Sequence, residues 1–385
     1  MSQAMNSKAD GVAGRIDAVI DGAVAKGSIV GTVVLVARDG RPVYRRAAGH
    51  ADREAGREIG FATIFRLSSI TKPIVSAAAL ALVEQDVMRL EDPVEKFIPA
   101  FRPRLQNGHA PTITIRHLMT HTAGLAYGFA QPPGGPYLAA GISDGLDHPG
   151  RTIDDNIERI VGVPLAYEPG TSWAYSVATD ILGEAMARAA GMALPDLVER
   201  LVTGPLGMTD TAFVIRDIDR LAKAYADGAD GPVVMSAHHR VPYGEGAISF
   251  APDRIFDSAS FASGGAGLAG TAGDVLTFLE AMRSGGGPVL GARSVAALGA
   301  DAIEGIDTWT PGWGWGLGFS ILRDPAAGLT PQTPGTWRWG GVYGHSWFVD
   351  PAEALTVVIL TNTAIAGMTG AFPEAVRNAV YGRTA

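Results

Sequence analysis

The sequence predicts an α+β fold: one antiparallel sheet assembled from strands at both ends of the chain and flanked by helices, with a largely helical second lobe. Two observations predict it. Strand-like runs cluster near the two ends, while the stretch between them carries helical periodicities at 72–85, 112–121, 151–161, 178–190 and 272–283, separated by loops rich in glycine and proline. Strands contributed by both ends have to meet in one sheet, so the middle of the chain is an excursion from it. The division this implies is a discontinuous sheet domain, 1–85 with 255–385, and a mostly helical domain, 86–254, with the active site between them.

Each element has its own signal. Residues 1–27 read as an amphipathic helix with Ile16, Val19, Ile20 and Ala23 on one face. The run IVGTVVLVARDGRPVYRRAAG reads as two strands joined at Arg38-Asp39-Gly40, because Asp-Gly suits the left-handed backbone of a two-residue hairpin. In IVSAAALALV, residues 74–83, apolar side chains recur on every face, which marks a helix buried nearly all round and too short to span a bilayer. At the other end HSWFVDP and ALTVVILTNT, within 345–363, read as two further strands. A closing helix follows in FPEAVRNAVYG, with Phe372, Val376, Ala379 and Val380 on one side.

Composition bounds the function. The 385 residues are 47% hydrophobic, enough for one large or two ordinary cores, and the net charge of −8 comes without a dense basic run. Nucleic acid and anionic membranes are therefore poor partners, no protein partner is implied, and a small or neutral ligand fits better. The absence of cysteine removes disulfides, thiolate metal sites and a thiol nucleophile. The first residues lack a basic start followed by an apolar run, so the expected compartment is the cytoplasm.

Four patterns invite a function that their surroundings do not support. GISDG, 141–145, fits G-x-S-x-G, but that motif works as a sharp strand-to-helix turn; here AQPPGGPYLAAG precedes it and Pro149 follows, so Ser143 is not expected to be a nucleophile. The stretch 126–150 then reads as a loop bordering the acyl entrance. GAGLAG, 265–270, fits a dinucleotide fingerprint without a strand before it and reads as a tight loop ahead of a helix. His117 and His121 share a helix face in HLMTH, but Met119 stands where a metalloprotease has glutamate, and the adjacent His238 and His239 point apart. No metal or organic cofactor is expected.

Three other segments carry chemistry. In FRLSSITKPIVSAAALALVEQ, Ser69 and Lys72 form S-x-x-K at the start of the buried helix, one turn apart, so the amine can lie beside the hydroxyl. Burial would lower the lysine pKa and ready it to take a proton. Tyr175 stands in a loop before the helix at 178–190; it can act as a base only if a nearby cation, such as Lys72, lowers its pKa. Trp339-Gly340-Gly341 precedes the penultimate strand, where glycines let a substrate approach the strand edge.

Together these segments resemble the serine β-lactamase and DD-peptidase superfamily, most closely its family VIII carboxylesterase branch. LMTHTAGL, PLGMTDT, SGGAGLAGTAGD and WGLGF look like further landmarks of that superfamily in the expected order, and the resemblance covers nearly the whole chain. It implies that Ser69 attacks an acyl carbonyl, that Lys72 and Tyr175 share the proton transfers with the order open, and that the backbone N–H groups of Ser69 and Val342 form the oxyanion hole. It also implies that Val177 and Trp339 stand where β-lactamases have the asparagine of Y-x-N and the lysine of K-T-G. Two polar anchors are thus replaced by apolar groups, which suits a neutral, short acyl ester. Trp339, Gly340, Gly341 and Val177 would line the substrate site, with Tyr127 in the same pocket. The expected activity is a serine carboxylesterase working through an acyl-enzyme. A β-lactamase, a D-aminopeptidase or amidase, and an acyltransferase share that intermediate, and a ligand-sensing protein is the non-enzymatic alternative.

Overall fold

A computed structural model describes residues 2–215 and 217–383, with side chains from Gly11 onward. Its main sheet has eight strands: β1 (Gly31–Arg38), β2 (Arg41–Asp52), β3 (Arg57–Glu58), β4 (Trp313–Trp315), β5 (Ser320–Leu322), β6 (Trp337–Gly341), β7 (His345–Asp350) and β8 (Leu355–Thr361). They lie in the order β4-β5-β6-β7-β8-β1-β2-β3, every neighbouring pair antiparallel. The two ends of the chain meet at β1 and β8, where Val34 faces Ile359 and Val36 faces Val357. The β1–β2 turn has φ +53° at Asp39 and +75° at Gly40, the left-handed pair that a primed hairpin requires.

Alternation along the central strands divides their side chains between two layers. Val34, Val36, Val357 and Ile359 pack against Ile16 and Ile20 of α1 (Ser2–Ala25) and against Phe372 and Val376 of the C-terminal helix Ala371–Val380. Val33, Leu35, Val358 and Leu360 point the other way, into a larger core. That core contains α2 (Thr71–Glu84), whose residues from Thr71 to Leu82 are all buried. Two further helices matter to the site: α3 (Ala178–Ala190), beside α2, and α4 (Ala272–Arg283), against β1 and β8.

Two stretches differ from expectation. The helix predicted over 112–121 is confined to Ile115–Met119: the Thr114 side chain caps its start by accepting from the His117 N–H, and His121, at φ +56°, lies outside it. The stretch 86–254 is also less uniformly helical than its pattern suggests. Beyond Thr203 it holds the hairpin His239–Tyr243 with Gly246–Phe250, and Tyr225–Ala226 pairs in parallel with Thr363–Ala364 near the C-terminus. Among the described residues no helix is long and apolar enough to cross a membrane.

Helix α1 closes one face of the sheet through a few aliphatic side chains, of which Ile20 is fully buried. Ile20→Ala is expected to cost about 2–5 kcal/mol, as for other large-to-small core changes. Thermal unfolding of the variant should show a clearly lowered midpoint.

Candidate active site

The nucleophile turn is held from three sides. A short 3-10 turn, Ser68–Ile70, leads directly into α2 and presents Ser69 at the helix N-terminus. Ser68 adopts φ +43°, a left-handed conformation that costs a non-glycine residue free energy, and its buried hydroxyl has no hydrogen-bond partner. Strand β6 fixes the turn from one side: a Cβ at Gly341 would lie 2.5 Å from both the Leu67 carbonyl oxygen and Ser68 Oγ, so only glycine fits. The His345 Nε2–H donates to the Arg66 carbonyl at 2.8 Å, and burial holds this imidazole neutral with a pKa lowered to about 4. From the other side, residues 265–270 clasp the turn, with the Leu67 N–H donating to Leu268 O at 2.8 Å and the Leu268 N–H donating to Thr71 Oγ1 at 3.1 Å.

Lys72 is completely buried. Its Nζ lies 2.9 Å from the Gly265 carbonyl oxygen, 2.9 Å from Tyr127 Oη and 3.2 Å from Ser69 Oγ. Loss of hydration lowers its pKa to about 7, outweighing the opposing pull of the Asp180 and Asp144 carboxylates. A neutral amine has two N–H donors and one lone pair. Gly265 O and Tyr127 Oη take the two donors, which leaves the lone pair for the Ser69 hydroxyl.

Tyr175 approaches Ser69 from the opposite side, its Oη donating to Ser69 Oγ at 2.7 Å while the Trp339 indole N–H donates to Tyr175 Oη at 3.2 Å. Rings of His121, Tyr127, Trp309, Trp315 and Trp339 surround it with centroids 4.9–6.0 Å away. The condition for a base role, a pKa lowered by Lys72, is not met. Burial pushes the phenol above its usual range, and its hydrogen bonds with Ser69 and Trp339 only partly oppose it.

A cavity of about 710 Å³ opens onto Ser69. Phe129, Tyr243, Trp309 and Leu329 give its lining an aromatic and aliphatic part, and Arg338, Glu374 and Arg377 a charged one. Trp339 and Gly340, two of the residues expected at the substrate site, line it, and so does Val342, expected there as an oxyanion-hole amide. Val177 does not: it is fully buried in the N-cap position of α3, its backbone N–H bonded to Ala126 O, so the substrate-lining role expected for it is corrected. Gly341 sits behind the lining, against the Ser68 turn. Tyr127 is a ligand of the Lys72 amine rather than a wall of the cavity.

Ser143 is buried away from the cavity, donating to Asp147 Oδ1 at 2.6 Å and accepting from the Gly145 N–H at 3.1 Å. The 126–150 stretch contributes Phe129 to the cavity, and GISDG is buried structure behind it. His117 accepts from the Thr114 N–H through Nδ1, and His121 Nδ1 contacts Ser176 Oγ at 3.0 Å, tethering the residue next to Tyr175. His238 and His239 lie outside the site, with His239 near Ser236. Among the described residues no group of three His, Cys, Asp or Glu side chains could hold a metal ion.

Sequence reasoning missed the support of Lys72. Asp180, on the first turn of α3 and nearly fully buried, accepts from Ser263 Oγ at 2.6 Å and from the Gly265 N–H at 3.1 Å. It thereby aims the Gly265 carbonyl at Lys72. The usable signal was a carboxylate at a core-facing helix position beside the glycine-dense GAGLAG, in which close backbone approach replaces side-chain packing.

Residues 16–377 match the Beta-lactamase family. The chain belongs to that family. It is 47% identical to Esterase EstB of Burkholderia gladioli over 99% of this chain and 98% of that protein. The solved structure of EstCE1, a hydrolase with promiscuous acyltransferase activity, superimposes with a TM-score of 0.93 at 42% identity, covering 97% of this chain and all of that one. Simvastatin synthase (LovD) from Aspergillus terreus shares the fold, with a TM-score of 0.74 at 21% identity over 95% of this chain and 97% of that one. Within the family this chain is a serine hydrolase most like the family VIII carboxylesterase branch.

Because Lys72 accepts a proton only when neutral, kcat/KM for a neutral ester should rise with pH through an apparent pKa near 7. A pH–rate profile with p-nitrophenyl butyrate checks this. A profile flat from pH 5 to 9 would remove Lys72 as the base.

Proposed function

We propose that this protein is a carboxylesterase for short, neutral acyl esters, with Ser69 as nucleophile, Lys72 as the first general base and Tyr175 as the proton donor to the leaving alcohol. One observation carries the reading: Ser69 Oγ stands between Lys72 Nζ at 3.2 Å and Tyr175 Oη at 2.7 Å in an aromatic-walled cavity. Donors then run one way, from the Trp339 indole to Tyr175, from Tyr175 to Ser69 and from Ser69 to the Lys72 lone pair. The raised phenol pKa and lowered amine pKa favour this direction over the reverse.

In acylation the Ser69 proton passes to Lys72 as Oγ bonds the acyl carbon, and the backbone N–H groups of Ser69 and Val342 receive the oxyanion. Collapse breaks the ester C–O bond; the alcohol takes the Tyr175 proton, which Lys72 replaces. Water enters by the reverse route, giving a proton to the base as it attacks the acyl-enzyme, and the acid leaves as Ser69 recovers its hydrogen. An alcohol in place of that water would give acyl transfer, an activity that EstCE1 has. We place the acyl chain against Phe129, Tyr243 and Trp309, in a site between the sheet lobe, 1–85 with 255–385, and the 86–254 lobe.

Ser69→Ala should abolish both turnover of p-nitrophenyl butyrate and labelling by a fluorophosphonate. Ser143→Ala should keep the labelling and instead lose about 1–3 kcal/mol of stability, because buried partners are left unpaired. Intact-mass measurement and thermal unfolding separate the two serines. Labelling of the Ser69→Ala protein at one equivalent would refute the assignment.

Selectivity against lactams rests on Trp339, whose ring fills the space beside Tyr175 and offers no cation to a carboxylate. Trp339→Lys is expected to raise the ratio of kcat/KM for nitrocefin over p-nitrophenyl butyrate by at least about tenfold, even as absolute rates fall. Val177→Asn buries an unpaired amide and should lower the thermal midpoint without changing that ratio. Equal turnover of nitrocefin and the ester by the unmodified protein would overturn the selectivity argument.

A further inference from the structure

A second cavity, of about 640 Å³, lies behind Lys72 and shares no lining residue with the active-site cavity. Its inner end is formed by Arg66, Arg254, Asp180, Ser263 and Tyr343. Its outer wall is apolar, and Val214 and Phe256 at the mouth remain 65% and 44% exposed. Large aliphatic and aromatic side chains left in water around a cavity mark a surface that receives an apolar group.

The charges at the inner end are unequally satisfied. Arg254 is 8% exposed and donates only to backbone carbonyls, through Nε to Asp147 O at 3.1 Å and through Nη2 to Phe261 O at 2.8 Å. Arg66 likewise donates to Pro252 O at 2.8 Å and to Ala222 O at 2.9 Å. Among the described residues neither guanidinium forms an ion pair. The other lining carboxylates are already engaged: Glu184 pairs with Arg188, and Asp257 accepts from the Ala259 N–H and Ser260 Oγ. Asp180 is 2% exposed, and its Oδ2 has no hydrogen-bond partner. Burial raises its pKa, while the hydrogen bonds from Ser263 and the Gly265 N–H and the nearby charges of Lys72 and Arg254 oppose the rise. Asp147, Asp253 and Tyr343 complete the set of ionisable groups close to the two arginines. Arg254 is buried and Arg66 half-buried, and although these carboxylates act on their charge none forms an ion pair with either guanidinium, so an anion entering the cavity would gain a direct charge-assisted contact.

We propose that this cavity is a binding site for a free medium-chain carboxylate, its headgroup held by Arg254 and Arg66 and its alkyl chain lying along Ile255, Phe256 and Phe213. The ligand has the chemistry of an acid product of ester hydrolysis, and to that extent the proposal builds on the esterase reading. Its head would lie at the end of the cavity that Asp180 also lines, held off that residue by the two guanidinium groups. Only Gly265 lies between that residue and the catalytic amine, since a Cβ on Gly265 would sit 3.0 Å from Asp180 Oδ2 and 3.4 Å from Lys72 Nζ.

Equilibrium dialysis of radiolabelled octanoate tests the site, using enzyme whose Ser69 has been blocked by a fluorophosphonate so that the acyl cavity is filled. About one equivalent should bind, and octan-1-ol should compete at least about tenfold more weakly, because it lacks the charge that guanidinium bonds reward. Arg254→Gln should weaken binding at least about tenfold by the same argument. Phe256→Asp, on the exposed rim where folding is not at risk, should weaken it as well. Loss of octanoate binding on blocking Ser69, or binding that neither substitution changes, or equal competition by octan-1-ol, would overturn the proposal. Intact mass reports separately whether Ser69 was labelled. If it was not, the esterase reading fails, and the two substitutions still test the cavity on the unmodified enzyme.

Discussion

Burial of one lysine organises this molecule. An ammonium taken wholly out of water loses its hydration, and the protein returns three neutral acceptors to it, the Gly265 carbonyl and the Tyr127 and Ser69 hydroxyls, without an ion pair. Burial therefore lowers the amine pKa to about 7, and in the neutral form two of these partners suffice and the lone pair is open to the Ser69 hydroxyl. The same burial that would make a lysine a poor surface residue suits it to the base role proposed for it. Everything that keeps water from Lys72, including the apolar body of α2 and the aromatic rings around Tyr175, is in this sense part of the catalytic apparatus.

Holding that amine in register demands close backbone contacts, and these explain the glycine-rich segments. Gly264 packs against the Thr179 carbonyl and Gly265 against Asp180, while Gly341 packs against Leu67 and Ser68; a Cβ at any of these positions would meet another atom at 2.4–3.0 Å. Such contacts pin the α2 N-terminus between β6 and the 265–270 loop. The strain at Ser68 is held by the same clamp, since the strand and the loop fix the turn on both sides.

Trp339 links mechanism to selectivity. Its indole N–H donates to Tyr175, and its ring occupies the flank of the cavity where the superfamily's lactam-binding members are expected to carry a cation. One side chain thus orients the phenol and removes a partner for a substrate carboxylate. Its neighbour in the strand, Arg338, stacks on Trp313 at 3.6 Å and also lines the cavity, so the lining joins aromatic and cationic groups.

The sequence by itself determined the sheet, the buried helix and the meeting of Ser69 with Lys72, because each rests on local information. Alternation in β1 and β8, Asp39-Gly40 at the hairpin, all-round apolarity in α2 and the S-x-x-K spacing can all be read within a few residues. The roles of Asp180, Gly265, His345 and Trp339 depended on contacts between residues far apart in the chain; a core-facing carboxylate and a glycine-dense segment hint at the first two, but no local pattern pairs them. The same holds for the misplaced expectations. Val177 sits next but one to Tyr175 yet turns into the core, and Tyr127 meets Lys72 instead of the substrate cavity, because the packing of α3 on α2 sets which way each side chain points. Tertiary structure also set the two shifts on which the proposed order of proton transfer rests. Spacing shows that a lysine and a tyrosine can both reach one serine, but it is their burial that lowers the amine and raises the phenol.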